Sequence, residues 1–288
     1  MGPAIASGEV ATGDGPGAPA GSRLKLTVAY DGTRFAGSQR QPGQRTVQAE
    51  LEAAYAQLTG RPVPVTLAGR TDAGVHAVGQ VGGVPDLVPL LSSEMAVRAF
   101  GGLLPGDLSV WRVDRVGPGF HARFDARWRE YRYRIWRGTT SPSHRDRAWQ
   151  RSQPLDLGAM GAAGGKLVGE RDVASLANVP PRDQAGGGHP RSTVRTVFAC
   201  DVARITDPWD VRRGSGDLVE VRVIANGFLR RMVRTIVAIL VAVGSGRHDV
   251  SWIERILADR AERDTIRVAP PHGLVLWRVG YDDDDWQT

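Results

Sequence analysis

The sequence has little of several residue types that would indicate particular classes of protein. Its 288 residues include one cysteine, Cys200, which excludes a disulfide framework and a cysteine-rich zinc cluster. The apolar run at residues 236–243 is too short to cross a bilayer. Residues 1–21 lack a basic segment followed by a long apolar run, so no secretory signal is expected. These absences favour a reduced, cytoplasmic protein without a membrane span.

Motifs for metals and nucleotide cofactors are also missing. The six histidines form no HExxH pattern, and no GxxxxGK[ST] run is present to hold a triphosphate. The one similar stretch, residues 164–166, lacks both the first glycine and the hydroxyl residue. We therefore expect no cofactor and no metal, so that side chains alone carry any chemistry.

Positive charge is abundant, and nearly all of it is arginine. The net charge is +6, and Lys25 and Lys166 are the only lysines. The planar guanidinium suits phosphates and stacking on bases, so a nucleic acid is a natural partner. A general bias toward arginine codons would give the same composition, so composition alone leaves both explanations open.

Alternating strands and helices are expected along most of the chain. Residues 23–30 alternate apolar and polar side chains, which predicts a half-buried strand. Thr46 and Gly60 bracket a helical pattern, and a strand is expected at residues 63–68. Further strands are expected at 80–84, 108–116, 129 onward, 196–203, 218–224 and 274–279, and helices at 93–100, 156–168 and 251–263, the last with a Ser251/Glu254 capping box. This order supports an α+β fold.

Arginines and aromatic residues interleave most densely at residues 120–137. In a strand that includes residues 129–137, Tyr131, Tyr133 and Ile135 share one face, and Arg132 and Arg134 share the other. Such a surface suits single-stranded or flipped nucleotides. It is equally typical of a strand with one core face and one solvated face.

A second concentration of arginine lies near the end of the chain. Asn226 is expected to cap a helix whose first turns hold Arg230, Arg231 and Arg234. The positive end of the helix dipole would lie beside these cations, which predicts an anion site.

The most informative stretch is residues 69–76, GRTDAGVH, which follows the strand expected at 63–68. Glycines at 69 and 74 place Asp72 on a tight loop, one residue after Thr71 and two after Arg70. On these residues alone, a local ion pair or an Asx-turn is the simpler interpretation.

The eight residues together, however, resemble the signature loop of the TruA family of tRNA pseudouridine synthases. Further similarity to that family lies at residues 120–124 (FHARF), 195–197 (RTV) and 226–230 (NGFLR), so that it spans about residues 24 to 281. The departures include Ser38, where the family commonly has tryptophan, and Gly101, where it commonly has asparagine. Residues 172–176 and 82–85 also lack the family's usual aromatic residues.

The resemblance implies two ferredoxin-like (RRM-like) halves whose sheets join across a central basic cleft. We expect a disordered tail at residues 1–22, an N-terminal half at 23–125 with the catalytic loop, a C-terminal half at 126–281 and a solvated acidic tail at 282–288. It also implies tRNA as the substrate, uridines 38 to 40 of the anticodon stem-loop as targets, and a homodimer.

The resemblance further implies roles for individual residues. Asp72 would be the catalytic carboxylate and Arg234 the cation that keeps it ionised. Arg70 would draw the target nucleotide out of the stack, with Tyr131 stacking on the base and sharing in proton transfer, and Leu274 on the base's other side. Without the family context, Tyr131 and Leu274 would be interpreted as core residues.

Four other residues are expected to bind the substrate. His76 is interpreted as a group that orders the loop or contacts RNA, and the matched motifs add Arg123, Asn226 and Arg230. Two other functions stay open: a non-catalytic RNA-binding module in which Asp72 is structural, and a nucleosidase that releases free base.

Overall fold

The computed structural model describes residues 21–177, 192–206, 216–259, 267–282 and 285–287. The strands are β1 (Arg23–Tyr30), β2 (Thr66–Leu67), β3 (His76–Pro85), β4 (Leu108–Val116), β5 (Trp128–Gly138), β6 (Trp149–Arg151), β7 (Gly169–Asp172), β8 (Val194–Ile205), β9 (Gly216–Ala225) and β10 (Leu274–Gly280). The helices of this described part are α1 (Val47–Thr59), α2 (Ser93–Leu103), α3 (Leu157–Gly165), α4 (Met232–Gly244) and α5 (Trp252–Ala258).

One mixed sheet of ten strands runs through the molecule, in the order β4-β1-β3-β10-β5-β9-β8-β7, with β2 beside β3 and β6 beside β5. The last strand, β10, lies at its centre, parallel to β3 and antiparallel to β5. Strands from the beginning and the end of the chain therefore meet there. The α+β class is confirmed, whereas a division into two ferredoxin-like halves stays a prediction.

The main hydrophobic core lies between one face of this sheet and the five helices. On β1 the alternation is as expected, with Leu24, Leu26 and Val28 fully buried. Helix α1 begins after Thr46, whose side chain accepts a hydrogen bond from Ala49 N, and ends at Gly60 in the left-handed region. These local signals place the helix at the predicted residues.

Strand β5 has the two faces that its sequence predicts. Tyr131, Tyr133 and Ile135 lie in the core. On the opposite face, Arg132 and Arg134 pair with Glu220, and the Arg132 guanidinium lies 4.1 Å from the centre of the Trp277 ring. The aromatic side chains named on β5 therefore pack in the core, as expected for a strand with one core face.

Two expected helix caps are wrong. Asn226 does not cap α4, because its Oδ1 accepts a hydrogen bond from Thr196 N and ties the end of β9 to β8. Helix α4 begins only at Met232, so Arg230 and Arg231 precede it. Ser251 makes no capping hydrogen bond, since its hydroxyl donates to Asp249. Helix α5 ends at Ala258, and residues 260–266 lie outside the described part.

Two strands differ from expectation in length. The strand expected at 63–68 is shortened to Thr66–Leu67, with one further bond from Ala68 N to Val81 O, because Pro64 has no N–H and Val65 N donates to Glu52 instead. Conversely, β3 begins at His76, four residues before the expected start. His76 is therefore a strand residue at the end of the signature loop.

The C-terminal segment is less solvated than expected. The Trp286 ring stacks on Phe198 with 5.4 Å between ring centres, and Trp286 O accepts a hydrogen bond from Arg222. Residues 283 and 284 lie outside the described part, as do residues 1–20 and most of the 180–192 loop. None of the helices in the described ranges is long and apolar enough to span a membrane.

Candidate active site

The loop that carries Asp72 is held by side chains from other parts of the chain. Gln80 binds both backbone groups of Gly69: Oε1 accepts from Gly69 N at 3.2 Å, and Nε2 donates to Gly69 O at 2.8 Å. Ser38 does the same for Thr71, with Oγ accepting from Thr71 N at 2.8 Å and Ser38 N donating to Thr71 O at 3.1 Å. Because Ser38 and Gln80 are fully buried, the backbone on the N-terminal side of Asp72 is fixed.

Tyr30 and Gly32 complete this support from β1 and the turn after it. The Tyr30 hydroxyl lies 2.8 Å from Thr71 Oγ1, and burial raises the pKa of Tyr30 to about 12, so the phenol is neutral. A Cβ on residue 32 would lie 2.0 Å from Val75 O, so only glycine allows the loop to approach this closely. The Asp72 loop therefore packs directly against the N-terminal turn.

Asp72 is paired with Arg234. Arg234 Nη1 donates to Asp72 Oδ2 at 2.9 Å, and Arg234 Nε donates to Ala269 O at 2.7 Å. Asp72 Oδ1 accepts no hydrogen bond from any residue that the structure describes, and the side chain is 28% exposed. One carboxylate oxygen is thus held by a cation, and the other is accessible to a ligand.

The start of α4 orients Arg234. Arg234 is the third residue of the helix, and Arg231, immediately before the helix, has φ 62° and ψ 4°. Among the described residues, Arg231 is the only non-glycine residue with positive φ. This conformation is strained for an L-residue, and such strain is often retained at functional sites. It turns the chain sharply into α4, one turn before the arginine that pairs with Asp72.

Tyr131 lies beneath the signature loop. A Cβ on Gly69 would be 3.6 Å from the Tyr131 hydroxyl, and the Tyr131 ring meets Phe228 edge-on with 5.0 Å between ring centres. Burial raises the pKa of Tyr131, and the charge of Asp72 raises it further. The side chain is 6% exposed and its phenol is neutral. The structure therefore brings Asp72, Arg234 and Tyr131 together.

Arg70 and Arg230 are exposed and unpaired within the described ranges. Neither makes a hydrogen bond or an ion pair with a residue placed there. Arg70 lies two residues before Asp72, whereas Arg230 lies two residues before α4. Both guanidiniums are therefore accessible to a ligand from solvent.

His76 is buried and holds two loops together. Its Nδ1 accepts from Gly32 N at 3.1 Å, so the proton of the neutral ring is on Nε2, which lies 2.9 Å from Asp146 O. Burial lowers the pKa of His76, although the nearby Asp31 carboxylate opposes this. This geometry suits the ordering role of His76, and an RNA contact by the side chain stays a prediction.

The remaining predicted residues lie on β10, before β5 and after β9. Leu274 is 6% exposed, belongs to the main core and pairs in the sheet with Tyr133, whereas Leu276 pairs with Tyr131. Arg123 and Asn226 lie close to each other, because the carbonyls of both accept hydrogen bonds from the same side chain, Arg129. Their roles in substrate binding stay predictions.

Sequence reasoning missed the side chains that hold the loop. Gln80 carried a signal, because a polar residue at the start of an apolar strand needs a partner when it is buried. In the sequence, Ser38 stands out only as a departure from the family pattern. Its contact with Thr71 joins residues 33 positions apart in a loop without periodicity, so no local pattern could indicate it.

Comparison with known proteins places the chain in a family. A family described as tRNA pseudouridine synthase matches residues 26–125 and 163–282. Relatives called tRNA pseudouridine synthase A include that of Solidesulfovibrio magneticus, 42% identical over 90% of this chain and 91% of that protein. That of Limosilactobacillus fermentum is 40% identical over 90% and 96%, and that of Cutibacterium acnes 38% identical over 92% and 90%. The family match covers more than half of the chain, and each of these relatives matches over 90% or more of its own length. The chain therefore belongs to the tRNA pseudouridine synthase family.

Proposed function

We propose that this protein isomerises uridine to pseudouridine in the anticodon stem-loop of tRNA, at positions 38 to 40, with Asp72 as the catalytic carboxylate. The observation that carries the proposal is the 2.9 Å pair between Asp72 and Arg234 beside Tyr131. The relatives' names supply tRNA as the substrate, and the resemblance of residues 69–76 to the TruA loop supplies the position.

The reaction rearranges one nucleotide without adding or removing atoms. The C1′–N1 bond breaks, the uracil turns, C5 bonds to C1′, and a proton leaves C5 while N1 gains one. Bond breaking leaves the sugar electron-deficient, and a carboxylate meets this by covalent addition or by charge stabilisation. Asp72 Oδ1, which has no partner in the described part of the chain, is the oxygen that would face the nucleotide.

Arg234 and Arg70 would assist at different stages. Arg234 holds Asp72 Oδ2 through a charged hydrogen bond and so fixes the carboxylate in one orientation. Arg70, exposed on the same loop, would occupy the space that the extruded nucleotide leaves in the stack. Extrusion costs a few kcal/mol, which contacts in the pocket must offset.

Tyr131 is better suited to stacking on the base than to removing a proton. Because burial raises its pKa, the phenolate needed for a general base is scarce at neutral pH. Leu274 would pack on the other side of the uracil, and since it is buried, the nucleotide must displace its present neighbours. Arg123, Asn226, Arg230 and His76 complete the proposed RNA-binding set.

The proposal is tested by incubating the protein with unmodified tRNA and mapping pseudouridine in the product. Pseudouridine confined to positions 38 to 40 is expected. Pseudouridine elsewhere would contradict the proposed position, and release of free uracil would indicate a nucleosidase. Bound but unmodified tRNA would instead favour a non-catalytic RNA-binding protein.

The same preparation tests the proposed homodimer. Sedimentation at micromolar concentration should give twice the 31.0 kDa mass of one chain. A mass of 31.0 kDa both with and without tRNA would contradict it.

A further inference from the structure

Arg129, on β5, holds three segments of the chain through backbone carbonyl groups. Its Nη1 donates to Ala126 O and Asn226 O, at 2.8 and 3.0 Å. Its Nη2 donates to Arg123 O and Ala68 O, at 2.7 and 3.2 Å. No carboxylate of the residues described pairs with it. Among the residues described, Arg129 is thus a cation held in place by carbonyl groups alone.

Two further guanidiniums lie beside it. Burial lowers the pKa of Arg129, and the nearby charges of Arg123 and Arg195 lower it further. The turn at Asn226 and Gly227 lies between Arg129 and Arg195, since Asn226 O accepts from Arg129 and a Cβ on Gly227 would be 3.3 Å from Arg195 Nε. Three like charges therefore lie near one another, which favours an anion beside them.

The hydrogen-bond donors of this cluster are distributed unequally. A guanidinium has five N–H donors, and Arg129 uses those on both terminal nitrogens internally. Arg195 uses only Nη1, which donates to Ser192 O and Val194 O. Its Nε and Nη2 donors have no acceptor among the residues placed in the structure, and burial lowers its pKa as well. Arg129 thus supplies a fixed charge, and Arg195 supplies the available donors.

The cluster adjoins the loop that carries Asp72. Ala68, whose carbonyl binds Arg129, immediately precedes Gly69 of the signature loop. The charges of Arg129 and Asp72 both reach the Tyr131 hydroxyl, where they act on its pKa in opposite directions. An anion at the cluster would therefore lie beside the proposed nucleotide pocket.

We propose that Arg195, Arg129 and Arg123 form a binding site for one phosphate group of the RNA backbone next to the target nucleotide. This inference rests on the proposed function, because it assumes that the nucleotide lies at Asp72. The planar guanidinium of Arg195 has two nitrogens, Nε and Nη2, that donate to no described residue and can bind two phosphate oxygens. The fixed charge of Arg129 favours an anion at the same place. The phosphate would position the nucleotide without reading its base.

Arg195→Gln is the variant that tests the site, since within the described residues this side chain donates hydrogen bonds only to carbonyls of its own segment. Arg98→Gln, on an exposed position of α2, removes the same charge and serves as the control. Binding of unmodified tRNA is measured between 50 and 200 mM salt. We expect Arg195→Gln to weaken binding about 10-fold at low salt and to reduce the slope of log K against log salt by about 1. An effect no larger than that of Arg98→Gln would overturn the proposal.

A second measurement identifies the phosphate. Anticodon stem-loop RNAs are prepared with one neutral methylphosphonate linkage each, at successive positions. Wild type should lose affinity at one linkage beside the target uridine, and Arg195→Gln should lose nothing further at that linkage. Equal losses for both proteins at every linkage would contradict the site. Since neither measurement needs product, a protein that binds in this way but forms no pseudouridine would refute the proposed function alone.

Discussion

Arg234 Nη1 lies 2.9 Å from Asp72 Oδ2, although 162 residues separate them in the chain. The pair joins the signature loop, which precedes β3, to the first turn of α4. In the sheet, β10 lies between β3 and β5, and β5 pairs on its other side with β9, the strand that precedes α4, so two strands separate the elements that carry the pair. The site therefore depends on the whole sheet and on no single segment.

Replacing Arg234 should slow catalysis more than it weakens tRNA binding. Arg234→Gln removes a charged hydrogen bond worth about 2 to 3 kcal/mol, so kcat should fall roughly 30- to 150-fold. Arg234→Lys, which keeps the charge without the fork, should lose less. Single-turnover rates and binding constants of both variants provide the check. Equal kcat for wild type and Arg234→Gln would contradict this role.

Ser38 should matter for the catalytic loop even though it lies far from it in sequence. Ser38→Ala leaves Thr71 N without its acceptor in a buried place, which should destabilise the fold by about 1 to 3 kcal/mol. The rate of pseudouridine formation should fall with it. Denaturant unfolding gives the stability, and Ser109→Ala, at an exposed position on β4, is the control. If both variants are equally stable, Ser38 does not hold the loop.

Stability should fall in mild acid because of His76. Its pKa in the folded protein is below the ordinary value of 6.5, mainly through burial, so the unfolded chain binds the proton more readily. Stability is therefore fully present above pH 6.5 and is lost as the pH falls toward the folded-state pKa, by at most about 1.4 kcal/mol per pH unit for one proton.

His76→Asn keeps an acceptor for Gly32 N but cannot take up this proton. Unfolding free energies measured from pH 7.5 to 5 should therefore decline less steeply for the variant than for wild type. Parallel curves for the two proteins would show that His76 contributes nothing to the acid sensitivity.

Arg231→Gly should stabilise the protein. Arg231 is held at φ 62°, where an L-residue pays about 1 to 2 kcal/mol and glycine does not. After the greater flexibility of glycine in the unfolded chain is subtracted, we expect a gain of about 1 kcal/mol. Arg230→Gly removes the same charge from a residue without positive φ and should not stabilise. A destabilised Arg231→Gly variant would show that the Arg231 side chain makes a stabilising contact.

The parts of the fold that follow from sequence are those specified locally. Helix α1 is an example. Its N-cap Thr46, its apolar spacing and its C-cap Gly60 all belong to one short segment, so the sequence places both ends of the helix. Strands β1 and β4 follow from alternation and turn residues in the same way. The arginine and aromatic residues of β5 were assigned to the correct faces because a strand alternates regardless of its partners.

What failed was specified by distant partners. Asn226 has the right residue type for a helix cap. Its side-chain oxygen, however, accepts a hydrogen bond from Thr196 N on the neighbouring strand and so does not cap α4. Ser251 is the exception, because its hydroxyl donates to Asp249, only two residues before it. The holding roles of Ser38, Gln80 and Arg129 depend on contacts across the sheet, which periodicity does not encode. Asp72 and Arg234 could be paired beforehand only through the resemblance to a family.

The most direct test of the central claim is the rate of pseudouridine formation with Asp72 replaced. Asp72→Asn can still accept a hydrogen bond from Arg234, so the loop and tRNA binding should be retained, and Asp72→Ala serves as a second variant. Under single-turnover conditions with unmodified tRNA, we predict that both variants lose on the order of 10⁴-fold in rate. Product formation at the wild-type rate by either variant would contradict the assignment of Asp72 as the catalytic carboxylate.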